Sequence, residues 1–232
     1  MKKNLLIVLL ILLSGTAFSQ MNGNYNYSLA VYGFSQMQMP KILNQKNSDR
    51  FTNATFHGGM IKFNDNQINF RLGGSYLKKD MKLANNCVGC QLANGEMKDY
   101  AFKVGFEKNM NFARIQPYVG FDIGFRFNKF DGSLVSTNSA LASQAPSALG
   151  PNGVETTKTG FTAAPLIGIK INPVPFISVF AESNLEMFYS YERQETIAAD
   201  ADNTRTLNKY NKAEFLLNPV TVGIQVHLGS NR

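Results

Sequence analysis

The sequence predicts an all-β chain: one antiparallel, up-and-down barrel of eight strands. Three observations carry this. Ile115–Phe127 reads IQPYVGFDIGFRF, with Ile115, Pro117, Val119, Phe121, Ile123, Phe125 and Phe127 on one face and Gln116, Tyr118, Gly120, Asp122, Gly124 and Arg126 on the other. That period of two marks a strand with one bulky apolar face and one polar face. Seven further runs alternate in the same way, and the links between them are long, short, long, short, long, short, long. The polar faces mix small residues with charges of both signs, which suits a lumen; the bulky faces suit lipid.

Taken in order, Tyr25–Phe34 is the first run, with Tyr25, Tyr27, Leu29 and Val31 on one face. A polar segment leads to a second run ending in Gly58-Gly59-Met60-Ile61-Lys62-Phe63, whose glycine pair leaves its register open because it can mark a bulge. Asn64-Asp65-Asn66 signals a tight turn into Gln67–Lys78, with Ile68, Phe70, Leu72 and Tyr76 out and Asn69, Arg71, Gly73 and Ser75 in. Residues 79–98 read as a polar loop, and Asp99–Glu107 alternates Tyr100, Phe102, Val104 and Phe106 with Ala101, Lys103 and Gly105. After the Ile115 run, residues 128–160 are rich in Ser, Ala, Asn and Thr and read as a surface loop that cannot order itself by apolar burial. Phe161–Ile171 follows, then the turn Asn172-Pro173-Val174-Pro175, then Phe176–Tyr191. Residues 192–212 read as a last polar loop before Glu214–Leu228, with Leu216, Val220, Val222, Ile224, Val226 and Leu228 out and Thr221, Gly223, Gln225 and His227 in. Pro117, Pro165 and Pro219 are expected near strand ends, where a lost ladder bond is tolerated.

Residues 1–19 carry Lys2 and Lys3, an apolar run Leu5–Leu13 and the small-x-small segment Ala17-Phe18-Ser19, the layout of an export signal. The expected mature domain is therefore 20–232. The formal net charge of +7 falls by the two lysines to +5. The basic residues are dispersed, without the cluster that nucleic-acid binding calls for, so no nucleic-acid partner is expected.

The inward faces place Arg71, Lys103, Arg126 and Lys170 against Glu107, Asp122, Glu182 and Glu186. An eight-stranded interior is just wide enough for side chains to fill, and unpaired buried charges are costly. These residues are therefore expected to pair as a plug; a proton path or a small polar ligand site is the alternative. Cys87 and Cys90, in a predicted loop of an exported chain, are expected to form a disulfide. His57 and His227 are the only histidines, and no catalytic constellation, metal-ligand set or cofactor motif is readable around them.

IQPYVGFDIGFRF, PLIGIKINPVPFISVFAESN (Pro165–Asn184) and NPVTVGIQVHL (Asn218–Leu228) together resemble the small porin-like outer-membrane barrels found in Bacteroidota. The resemblance covers nearly the whole mature chain as a pattern rather than a strict motif, and departs from it in lacking the terminal aromatic residue many such barrels carry. It implies a transmembrane barrel in the cell outer membrane, with lipid and the barrel-assembly machinery as partners, plus an extracellular or membrane-protein partner of unknown identity. The expected role is non-enzymatic, structural or surface-interacting, through four extracellular loops. Transport of a small or apolar solute across the outer membrane is the alternative, and a lipid-modifying enzyme the third reading.

Overall fold

The computed structural model describes residues 25–42, 46–47, 51–65, 68–84, 91–110, 113–136, 152–198, 202 and 204–230. The segment 1–19 and both cysteines lie outside the described residues. Among the described residues nine strands form one sheet: β1 (Tyr25–Met37), β2 (Lys46–Asn47), β3 (Thr52–Asp65), β4 (Ile68–Ala84), β5 (Gln91–Asn109), β6 (Ile115–Ser136), β7 (Asn152–Val174), β8 (Ile177–Ile197) and β9 (Arg205–Ser230). All neighbouring pairs are antiparallel, and β9 pairs with β1 from Tyr25↔Ser230 to Gln36↔Val220. That pairing, with β4 on β5, closes eight long strands into a ring; the two-residue β2 only adds to the far end of β4.

The outer face is apolar where the alternation is clearest. Phe102 is 58% exposed, Phe161 71% and Phe215 66%. A soluble fold rarely leaves so broad an apolar patch uncovered. On β6 the outward apolar run Pro117–Phe127 matches the roughly 9–11 residues a tilted strand needs to cross a bilayer core.

The strands outrun the sequence reading at one end. Residues 79–84 and 91–98, read as loop, belong to β4 and β5; 128–136 and 152–160 belong to β6 and β7; 192–197 and 205–212 belong to β8 and β9. The physical reason is a reversal of polarity. Along β5 the outward residues change from Phe102 and Tyr100 to Lys98 and Glu96, while the inward ones change from Lys103 and Asp99 to Met97 and Ala93. Beyond the apolar belt the sheet is therefore polar outside and apolar inside. Met81, Leu83, Met97, Phe130 and Val154 pack there against Met39 and Ile42, which fold in from the segment after β1. This plug keeps a mostly polar stretch ordered.

Two mid-strand bulges shift the faces. Register slips between Tyr32 and Phe34 on β1, opposite Phe56 and His57 of β3. Phe56 has φ +46°, the left-handed region that a bulky residue enters at a cost of about 1–3 kcal/mol. The irregularity thus sits just before the glycine pair Gly58-Gly59. On β9, Pro219 and Val220 stand opposite the single residue Ser183. Leu216, assigned outward by unbroken alternation, points inward and is 2% exposed, while Phe215 faces out. Pro219 sits at this mid-strand bulge and Pro165 lies within β7, where the ladder to β8 skips from Ala163↔Met187 to Leu166↔Asn184. Both prolines are accommodated by interrupted pairing rather than by a strand end.

Candidate functional site: the charged interior

Inward positions of seven strands bring the charges together in layers. At the first, Glu107 on β5 is fully buried and takes Lys62 Nζ at 2.7 Å, Lys170 Nζ at 3.0 Å and Arg71 Nη1 at 3.3 Å. Asn69 Nδ2 donates to it at 3.0 Å. Arg71 grips Glu182 with two parallel bonds of 3.0 Å each, and its Nε lies 3.2 Å from Asp122 Oδ1, an ion pair without the alignment of a hydrogen bond. Tyr118 Oη donates to Glu182 at 3.1 Å. Two glycines make the layer possible. A Cβ on Gly168 would run into the Tyr118 ring, and one on Gly105 into the Asp122 carboxylate.

The second layer is built on Arg126. Its Nε donates to Asp99 at 2.8 Å and its Nη1 to Glu186 at 2.6 Å; Lys103 also pairs with Glu186, and Asn128 Nδ2 donates to Asp99 at 3.0 Å. A third set lies beneath the apolar plug, where Lys158 Nζ sits 3.0 Å from Glu192 and 2.8 Å from Glu214. Rings finish the filling: Lys62 lies over Phe180 at 5.4 Å, and Arg126 over Phe188 at 5.7 Å. Between the first two layers a cavity of about 70 Å³ remains, enough for a few waters.

All eight charged residues singled out from the sequence make ion pairs in these two layers. Lys62, Asp99, Lys158, Glu192 and Glu214 were missed. Lys62 follows the bulge that left its face undecided, and Asp99 stands where the inward polarity reverses. Lys158 and Glu192 lie in stretches read as loop, and Glu214 precedes the Pro219 bulge. With Lys62 and Asp99 added, each layer stays neutral: Lys62, Arg71 and Lys170 against Glu107, Asp122 and Glu182, then Lys103 and Arg126 against Asp99 and Glu186.

The histidines do different work. His227 bridges Ser28 Oγ at 2.9 Å and Ser178 Oγ at 2.5 Å at the short-turn end, stacked on Tyr25. Ser178 is fully buried and donates to Asn172, so this Ser–His contact fastens β1, β8 and β9 together. His57 stacks on Tyr32 with ring centroids 5.5 Å apart. Among the described residues no group of three or more His, Cys, Asp or Glu is placed to hold a metal ion.

Among the described residues the wall is unpaired in two stretches: Arg205–Leu216 of β9 meets β8 alone, and part of β4 meets β5 alone. Pairing of β3 with β4 runs from Asp65↔Ile68 to Gly58↔Ser75 and stops. From Tyr76 to Lys82, β4 pairs with β5 alone among the described residues, until Leu83 and Ala84 meet β2. Across the opening Lys79 Nζ donates to the Asn53 carbonyl at 3.3 Å. His57, Gly74, Ser75 and Ala101 line both the interior cavity and a recess on the outer surface at this seam.

No family model and no curated protein matches the chain. Among solved structures it is similar to the outer membrane protein OprG from Pseudomonas aeruginosa, at 9% identity and a TM-score of 0.55, covering 90% of this chain and 99% of that one. It is also similar to a major outer membrane protein from Thermus thermophilus, at 10% identity and a TM-score of 0.50, covering 87% and 99%. The fold is that of the outer-membrane β-barrels: eight antiparallel up-and-down strands in a ring.

Proposed function

We propose that the chain is an integral outer-membrane barrel, closed along its axis, that serves as a rigid anchor for a surface platform. The long-strand end projects outside the cell, and the role is interaction rather than catalysis. The carrying observation is the neutral, layered pairing of the interior. Eight strands leave no more space than side chains can fill, whereas open channels belong to barrels of about 16–18 strands. Here two neutral ion-pair layers, a third set of charges and an apolar plug follow one another toward the platform end. Purified protein in a planar bilayer is expected to give no steady ion conductance. Large, reproducible conductance steps would contradict the closed axis and favour transport.

The β3–β4 seam favours one second reading, passage of a small apolar solute sideways through the wall. The interior cavity of about 70 Å³ holds only a few waters, so this route needs the seam to widen. Vesicles carrying the barrel would then admit a small apolar fluorescent solute faster than protein-free vesicles. Equal rates remove this reading.

A further inference from the structure

Register alignment on the platform side sorts the outward residues into three rows. The first is aromatic, Tyr76↔Tyr100↔Phe127, continuing through Thr159 to Tyr191; the Tyr76 and Tyr100 rings are 4.7 Å apart. One step further out, Lys78↔Lys98↔Lys129 continues through Thr157 to Arg193↔Lys209, five cations on six adjoining strands. The next step is acidic: Asp80↔Glu96↔Asp131↔Glu155↔Glu195.

Like charges placed directly opposite one another on a sheet are destabilising. Folding alone therefore does not favour Lys78 beside Lys98 beside Lys129. The acidic row relieves the repulsion only in part. Glu96 serves two ammonium groups, Lys78 at 2.8 Å and Lys98 at 3.0 Å, Glu195 serves two guanidinium groups, Arg193 at 3.3 Å and Arg205 at 3.2 Å, and Lys129 reaches Glu155 at 2.7 Å. All three lysines remain a third or more exposed. Aromatic girdles sit at the boundary between the apolar core and the headgroups. Successive outward residues are about 7 Å apart along a strand, so the cations stand at the level of lipid phosphates.

We propose that Lys78, Lys98, Lys129, Arg193 and Lys209 form a half-girdle that binds the phosphate groups of phosphorylated glycolipid in the outer leaflet. This rests on the outer-membrane reading above. The occupant is lipid rather than free anion because the row runs along the edge of the apolar belt, where the acyl chains of the same molecule have a surface to lie on.

The test uses the full barrel in uncharged detergent, mixed with bis-phosphorylated lipid A or its dephosphorylated form, with bound lipid counted by native mass spectrometry. The variant K78Q/K98Q/K129Q is compared with K41Q/K108Q/R114Q, which removes the same charge from exposed positions off the row. Wild type is expected to retain the phosphorylated lipid only. The row variant should lose on the order of tenfold or more in retention, and the control less than about twofold, since each basic residue near an anionic headgroup contributes independently. Equal retention by the row variant, equal loss in the control, or displacement by inorganic phosphate at matching concentration would overturn the proposal. The shift in gel mobility on boiling is read on every sample. A chain that never forms the barrel is thus told apart from a barrel indifferent to phosphate.

Discussion

Glu107 is the residue on which the interior depends most. Three cations converge on its carboxylate in a place water does not reach, so Glu107→Gln leaves Lys62, Lys170 and Arg71 in excess over Asp122 and Glu182. Breaking one partner of a dry pair costs about 3–5 kcal/mol, because the remaining charge is buried without compensation. Urea unfolding in lipid vesicles should show Glu107→Gln destabilised by roughly that amount. Lys78→Ala, removing an exposed and solvent-screened surface pair, should change stability far less. Equal effects would mean that water enters the first layer. The charges at such positions were legible because each stood between uncharged same-face neighbours on a strict alternation, as Arg126 does between Gly124 and Asn128. Lys62 obeyed the same rule, but the bulge at Phe56–His57 hid its phase.

At the scale of elements, alternation located the strands wherever lipid and lumen differ in polarity. It failed where that difference reverses. In residues 152–160 the inward side chains are Val154, Thr156 and Lys158, and the outward ones Glu155, Thr157 and Thr159, a composition that reads as loop. The ladders to β6 and β8, the plug around Phe130 and the Lys158 ion pairs order that stretch. The bulge at Pro219–Val220 likewise turned Leu216 inward against its pattern. At the β3–β4 seam, amides of Tyr76–Lys82 that point toward β3 lack strand partners among the described residues, while those toward β5 have them. Hydrogen exchange in micelles should therefore alternate along Tyr76–Lys82, fast and slow, and be uniformly slow across the β8–β9 pairing of Val179–Glu182. Uniform protection along Tyr76–Lys82 would show that the seam is closed.

For the whole molecule, the sorting of link lengths foretold the up-and-down ring and its two unlike ends. The long-strand end could not be foreseen, because its order comes from contacts between segments far apart in sequence. Met39 and Ile42 meet Val154 there, and Lys158 meets Glu214. The ring turns its apolar face to lipid and its paired charges inward, with polarity reversing above the belt. The most direct measurement is a spin-label accessibility scan of the barrel in lipid vesicles, in a background with Cys87 and Cys90 replaced by Ser. Labels at Phe102, Ile123 and Phe161 should be reached by oxygen and not by a water-soluble relaxation agent, and labels at Glu96, Asp131 and Glu155 the reverse. Water exposure at Phe102, Ile123 and Phe161 would contradict a lipid-facing apolar belt.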